Sequence, residues 1–410
     1  MLTTQNEAIA AMFSGQNCLL SGVAGTGKSH TVREFIKKVN GVTVTASTGI
    51  AALNVQGMTL HRFCGMGLGP RPDQSFEEFL IGLERKGGFG WSKAVWRMIN
   101  CKRLVVDEVS MLPGRTLDFV DYLMRKVRQD QRPFGGVQVI AVGDFLQLAP
   151  VRKDPTVDYD WAFTSKAWQQ ADFRNIYLQK IYRQDEPDLI DTLNKIRIGD
   201  MSGDTERILK RRVIDFPSEE IPRLMTHNSQ VDKWNREMLS KLPGQDRVFT
   251  ATESGNEYEI EFLRKNLVTP RELVLRTGAN VMITANNSEK GYVNGMLGKV
   301  VFIEDEKITV ETKELGTIEV TQNLWQYDWQ NDDSACFMQF PLRLAYGMTI
   351  HKAQGLTLES ALIDIRAARE PGQAYVALSR VKSLRGLFLT DWFKCFYFSR
   401  QAKKFYDELK

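Results

Sequence analysis

The chain lacks most of the features that would take it out of the ordinary globular class. Its five cysteines, Cys18, Cys64, Cys101, Cys336 and Cys395, are scattered and odd in number, and no two stand as C-x-x-C. That spacing offers neither a zinc site nor a disulfide framework, and it fits a reducing, cytosol-like compartment. No apolar run reaches about 18 residues, so no membrane-crossing helix is expected. Met1–Ala11 has no cationic stretch followed by a long apolar one, so a secretory leader is not expected either. Internal repeats and low-complexity linkers are absent. Charge of one sign is also scarce: the formal net charge is +4, which permits nucleic-acid binding without arguing for it.

What is present is a globular composition, 43% hydrophobic and 25% charged, which excludes a disordered or collagen-like chain. At roughly 100–200 residues per domain, 410 residues imply two to four domains. The first part alternates short apolar runs with helical patterns. Residues 17–21, 42–45, 103–106 and 137–142 read as strands, and 28–38 and 116–128 as helices. Strands alternating with helices imply right-handed βαβ units and a parallel sheet, whose buried strands read as continuous apolar runs. The pattern restarts at 223–226, with a helix at 230–239 and further strands at 281–284, 361–365 and 387–389. Inside this second α/β unit, 294–327 changes character. Three β-rich runs, 299–304, 307–312 and 316–321, carry no helical period and read as a small barrel or meander. A smaller insertion, Gly65–Trp91, rich in Gly and Pro, interrupts the first sheet.

Function enters with Gly22-Val-Ala-Gly25-Thr26-Gly27-Lys28-Ser29. It matches G-x-x-x-x-G-K-S/T, follows an apolar strand and opens a helix, the context that makes it a phosphate loop. Glycines let backbone N–H groups turn inward around phosphate oxygens, and the helix N-terminus adds the positive end of its dipole. Lys28 is expected to reach the β- and γ-phosphates of ATP, and Ser29 to ligate Mg²⁺. A second apolar strand, Arg103-Leu-Val-Val, ends in Asp107-Glu108. Asp107 is expected to hold Mg²⁺ through its water shell, and Glu108 to orient and polarise the attacking water. A third strand ends in Gly143-Asp144-Phe-Leu-Gln147. Gln147 can sense the γ-phosphate there; the alternative is a plain βα turn with Asp144 as helix cap.

These three boxes together resemble a superfamily 1B helicase. Val127-Arg-Gln-Asp-Gln-Arg-Pro133-Phe134-Gly135-Gly136-Val-Gln is more specific and resembles the signature of Pif1-family helicases. The likeness spans nearly the whole chain. Thr45-Ala-Ser-Thr48-Gly49-Ile-Ala51-Ala52 resembles motif Ia, Met58-Thr59-Leu-His61 motif Ib, and Ile181-Tyr-Arg183-Gln motif IV. Tyr346 to Gly355 resembles motif V, and Tyr375-Val-Ala377-Leu-Ser379-Arg380 motif VI. The resemblance implies an α/β fold of two RecA-like P-loop NTPase domains with ATP between them. It places 1A at 1–64 and 92–180, a wedge insertion 1B at 65–91, 2A at 181–290 and 346–410, and an SH3-like 2B at 291–345. It assigns Gln5 to reading adenine, since a side-chain amide can bond both the amino group and a ring nitrogen. Gly355 joins the nucleotide-binding set, and Arg183 and Arg380 neutralise charge on the γ-phosphate.

A motor for single strands needs polar groups on phosphates and apolar groups on bases. By the resemblance, Thr48, Gly49, Thr59 and His61 face DNA from 1A, and Thr349, His351 and Lys352 from 2A. Phe76 or Phe79 is either the wedge tip that presses on the first base pair or the small core of its insertion. Trp325, Tyr327 and Trp329 cap the barrel or line a DNA path, and the aromatic run from Trp392-Phe393 to Phe398 reads as helix packing. The implied activity is ATP-dependent 5′→3′ translocation on single-stranded DNA with unwinding of duplexes at single/double-strand junctions, G-quadruplex DNA being a further candidate. A monomer is expected, with no membrane partner. The near-immediate start at Gln5 points to a bacterial or phage-like minimal core, cytoplasmic in the cell it acts in. The alternatives are a RecD- or Dda-like helicase, a DNA-stimulated ATPase that remodels nucleoprotein, and an RNA helicase.

Overall fold

A computed structural model of the chain describes residues 2–67, 69–86, 89–152, 154, 156–214, 221–287, 289–327, 334–366, 368–391 and 396–409. Trp329, Trp392 and Phe393 lie outside them. The chain divides into two units. The first comprises Met1–Arg183, Glu370–Gly372 and Phe398–Lys410, the second Gln184–Arg369 and Gln373–Tyr397.

The first unit is built on a seven-stranded, all-parallel sheet. Its spatial order is Leu2–Thr3, Arg174–Leu178, Cys18–Gly22, Gln138–Val142, Arg103–Asp107, Val42–Ala46 and Met58–Thr59. The three central strands are buried at nearly every position, yet alternate residues serve different cores. Leu19, Leu104, Val106, Val139 and Ala141 face one helical layer, while Cys18, Leu20, Val105, Ile140 and Val142 face the other. A strand pleat sends neighbours to opposite faces, so a sheet covered on both sides leaves no polar alternation to read. Helices Gln5–Phe13 and Lys28–Ile36 cover one face; Gly114–Arg128 belongs to the other. Thr4 and Glu7 form a capping box at the start of the first helix, which fixes where it begins.

The long helix Gly114–Arg128 buries Leu117, Val120, Leu123 and Met124 at helical spacing, each worth about 1.5–3 kcal/mol of burial. The Phe134-Gly135-Gly136 signature docks on it. Phe134 is fully buried and its N–H donates to Asp121 Oδ1 at 2.6 Å. A Cβ on Gly135 would stand 2.7 Å from Met124 O, so only glycine lets this turn approach the helix. Arg128 locks the turn by donating to Gly135 O at 2.7 Å, and also to Met98 O and Ile99 O. The signature therefore works here as a clamp on the P-loop unit.

The Gly65–Trp91 segment reads as an irregular insertion, but its described part is mainly helical: Phe76–Lys86, followed by the start of Phe89–Asn100. Phe76 and Phe79 pack 5.1 and 5.2 Å from the Phe119 ring, which settles them as core rather than as a free tip.

The second unit holds a four-stranded parallel sheet, ordered Gly347–Thr349, Arg223–Met225, Ala361–Ile363 and Leu387–Leu389. The same unit contains antiparallel sheets that extend well beyond 291–345. One has five strands, Gly316–Thr321, Lys307–Thr312, Leu297–Ile303, Asn280–Ile283 and Leu342–Leu344. Two smaller ones draw on Arg247–Thr250, Thr252–Ser254, Glu272–Leu275, Asn323–Gln326 and Cys336–Gln339. Residues 281–284, read above as a further strand of the second α/β unit, belong here: Asn280–Ile283 pairs antiparallel with both its neighbours. Its continuous burial comes from a core of Val281, Ile283, Val300, Ile308, Val310 and Phe340. Trp325 is buried against Phe337, and Tyr327 lies edge-on to Phe262, so both pack inside this region.

Candidate active site

Strands Cys18–Gly22, Gln138–Val142 and Arg103–Asp107 are immediate neighbours and run the same way, so their three polar sequels emerge at one end of one sheet. Topology alone thus collects the phosphate loop, the Asp107-Glu108 pair and the Gly143–Gln147 loop. Gly22, Gly25 and Gly27 all take positive φ, and helix Lys28–Ile36 starts directly behind Gly27. A side chain at Gly27 would also run into the Gln5 amide. Lys28 Nζ donates to Gly22 O at 2.8 Å and Val23 O at 3.2 Å, parked on the loop's own carbonyls. Thr26 is buried, with its hydroxyl on Val23 O at 3.0 Å, and Ser29 is exposed at the first turn.

Asp107 is buried at its strand end, and burial pushes its carboxyl pKa up. The Glu108 N–H, 2.9 Å from Asp107 Oδ1, and the Lys28 charge pull the other way. Glu108 takes φ 51°, ψ 44°, a left-handed conformation that costs a non-glycine residue about 1–2 kcal/mol. It is held there by Ser47, whose hydroxyl donates to Glu108 O at 2.7 Å. The left-handed residue follows directly on the strand end, where its own N–H anchors the Asp107 carboxylate. Gln147 is buried, and its Nε2 donates to Asp144 Oδ2 at 3.3 Å. Asp144 Oδ1 accepts from Leu146 N at 3.1 Å, so Asp144 caps this turn and holds Gln147 as well.

Gln5 lies against the phosphate loop, with Nε2 3.4 Å from Thr26 O. It lines a cleft of about 210 Å³ together with Thr3, Thr4, Thr26, Leu178, Gln179, Lys180 and Tyr182. Tyr182 N donates to Gly25 O at 2.8 Å, which ties this segment to the loop. Sequence reasoning missed Leu178, Lys180 and Tyr182. The signal was the short β-prone run Ile176-Tyr177-Leu178 in the strand Arg174–Leu178, whose pairing with Cys18–Gly22 brings its sequel to the same sheet end. No group of three or more His, Cys, Asp or Glu among the described residues forms a metal cage. A magnesium ion keeping several waters fits this better, because it needs only one or two protein oxygens beside phosphate, and Asp107 is a buried carboxylate that a cation would relieve.

The remaining candidates fall in two sets. In the first unit, Ala46 pairs with Thr59, so Thr48 and Thr59 emerge from adjacent strand ends. Each caps a short helix, Thr48 Oγ1 accepting from Ala51 N and Thr59 Oγ1 from Arg62 N, both at 3.2 Å. Gly49 is buried behind Thr48, and burial holds the half-buried His61 imidazole below its ordinary pKa, toward the neutral form. Arg183 closes the first stretch of this unit and is half-buried. In the second unit, Thr349 ends its strand and accepts from Lys352 N at 3.3 Å, with His351 exposed between them. Burial, reinforced by the Arg343 charge, lowers the Lys352 ammonium pKa. Gly355 turns the chain at φ 82°. Arg380 is fully buried, donating to Val376 O at 2.7 Å, Ser379 Oγ at 2.7 Å and Leu356 O at 3.5 Å. These three acceptors all belong to its own unit.

Residues 3–207 match the family model of the PIF1-like helicases. The chain is 33% identical over 393 residues to the ATP-dependent DNA helicase Pif1 of Bdellovibrio bacteriovorus, covering 95% of this chain and 87% of that one. The crystal structure of Bacteroides sp Pif1 in complex with ADP-AlF4 superposes with a TM-score of 0.87 at 31% identity, over 100% of this chain and 97% of that one. Bacteroides Pif1 bound to ssDNA gives 0.68 at 32% identity with the same coverage.

Proposed function

We propose that this chain, which belongs to the PIF1-like helicase family, is an ATP-dependent DNA helicase that moves 5′→3′ along a single strand and opens duplexes at single/double-strand junctions. The observation that carries the reading is the convergence of three polar strand ends, the Gly22–Ser29 loop, Asp107-Glu108 and Asp144–Gln147, at one edge of one parallel sheet.

Each residue then has work to do on ATP. The loop N–H groups and the helix Lys28–Ile36 hold the phosphates, and Lys28 leaves the carbonyls of Gly22 and Val23 for the β- and γ-oxygens. Gln5 holds adenine, with Tyr182 beside it in the same cleft. Ser29 and Asp107 would hold Mg²⁺, which supplies charge neutralisation between the β- and γ-phosphates when bound. Glu108 orients and polarises the attacking water, and Gln147 reads the γ-phosphate. Arg183 and Arg380 stabilise the charge that develops in hydrolysis. Thr48, Gly49, Thr59 and His61 in one unit, and Thr349, His351 and Lys352 in the other, hold DNA. Alternating grip by the two sets converts ATP turnover into movement, to the extent that ATP favours the closed arrangement of the units.

The test is ATP-dependent strand displacement on two matched duplexes, one with a 5′ single-stranded tail and one with a 3′ tail. Displacement from the 5′-tailed duplex alone is expected. Displacement from the 3′ tail alone overturns the polarity. The core packing of Phe76 and Phe79 favours one competing reading, a translocase that remodels nucleoprotein without separating strands. DNA-stimulated hydrolysis with no displacement from either duplex would establish it.

A further inference from the structure

The last helix, Arg400–Glu408, belongs to the P-loop unit, although the chain reaches it only after passing through the second unit, and although it reads in sequence as the end of 2A. Its apolar residues Ala402, Phe405, Tyr406 and Leu409 share one face, and Ser399 caps its start. Docking is carried by the rings: Phe405 stacks on Phe163 with centroids 4.5 Å apart and meets Phe145 edge-on at 5.4 Å. A phenylalanine at 406 would serve that packing equally well. The hydroxyl of Tyr406 needs another explanation.

That hydroxyl lies 2.6 Å from Ser21 Oγ, accepts the Phe145 N–H at 3.1 Å, and donates to Asp144 Oδ1 at 3.3 Å. A phenol has one proton and two acceptor sites, so with its proton on Asp144 the Ser21 hydroxyl must donate to it, and every capacity is used. The partners are pointed ones. Ser21 immediately precedes Gly22 of the phosphate loop. Asp144 is the carboxylate whose other oxygen accepts from Gln147 Nε2. One side chain from the far end of the sequence therefore joins the phosphate-loop strand to the loop that carries Gln147.

We propose that Tyr406 is a positioning residue for hydrolysis: through Asp144 it fixes Gln147 relative to the phosphate loop, and it governs turnover rather than nucleotide affinity. The proposal rests on the reading of Gln147 as the γ-phosphate sensor. It makes the C-terminal helix part of the ATPase machinery and not merely a cover for the sheet.

The experiment compares the full chain with Tyr406→Phe, Gln147→Ala and the double variant, in DNA-stimulated ATP hydrolysis and in thermal melting. Active protein is counted by bound nucleotide, so that partial unfolding does not register as lost turnover. Tyr406→Phe is expected to lower kcat about tenfold with KM for ATP close to wild type, while melting falls because Ser21 Oγ, the Phe145 N–H and Asp144 Oδ1 each lose a partner. In the Gln147→Ala background the same change should lower kcat no further. A normal kcat in Tyr406→Phe, or a full additional drop in the double variant, overturns the proposal. A wild-type chain without DNA-stimulated hydrolysis overturns the helicase reading and this proposal with it, so the two failures are distinct.

Discussion

Two parallel sheets in this chain, one of seven strands and one of four, do different work. In the seven-stranded sheet the strand Cys18–Gly22 ends on a glycine at positive φ, and two more, Gly25 and Gly27, follow before its helix begins at Lys28. In the four-stranded sheet the strand Arg223–Met225 is followed by Thr226 and His227, and the helix starts at Asn228 with no glycine between. A loop with left-handed positions can turn several N–H groups toward one anion; a two-residue connection without them cannot. The glycines of one connection, not the sheet, decide which unit cradles phosphate. The charged group proposed from the second unit, Arg380, is held by three acceptors of its own unit.

The sharpest break of this contrast is Lys28→Ala. The lysine donates to the Gly22 and Val23 carbonyls, so its loss should lower melting by no more than a few degrees. Hydrolysis should fall by about a thousandfold or more, since a phosphate-binding charge has been removed. Single-turnover hydrolysis beside a melting curve checks both halves, and near-normal turnover would remove the phosphate assignment.

Arg380→Ala should behave differently because the arginine is embedded. Hydrolysis per bound ATP is expected to fall about a hundredfold, as for a charge that stabilises the transition state. Melting should fall as well, because the Val376 and Leu356 carbonyls lose a buried donor, at about 1–3 kcal/mol. A variant that melts early yet hydrolyses normally per bound ATP would reduce Arg380 to a structural residue. One that melts normally yet fails to hydrolyse would show that the buried bonds are not what keeps the arginine in place.

The same contrast explains what was legible in the sequence. The P-loop, its two companion strand ends and the parallel order of the first unit were readable, because glycine, acid and apolar runs carry their reason locally. The extent of the β-rich region was not. Asn280–Ile283 is apolar after its first residue, and only its antiparallel partners reveal which sheet it joins. Phe76 and Phe79 fit a tip or a core equally well until Phe119 is placed beside them. The full burial of Arg380 and the hydroxyl contacts of Tyr406 are long-range or conformational facts with no local signature. Gln5 is the intermediate case: its proximity to Gly27 comes from the pairing of short edge strands.

The smallest effect tests whether the first sheet sacrifices stability for its chemistry. Burial raises the Asp107 pKa, so the folded chain holds that proton more tightly than the unfolded chain does. Stability must then fall as pH rises from the ordinary aspartate value, about 3.9, through the raised one, and the whole penalty is present above it. Asp107→Asn removes the charge but keeps an oxygen that can accept the Glu108 N–H. Without nucleotide, the variant should therefore melt a few degrees above the wild type near neutral pH. The gap should narrow as pH is lowered toward the ordinary aspartate value, while hydrolysis is lost at every pH. Melting curves taken across that range decide it. An asparagine variant no more stable than the wild type at neutral pH would mean that Lys28 and the Glu108 N–H already offset the burial of the carboxylate, and that the sheet end carries its charge at no cost.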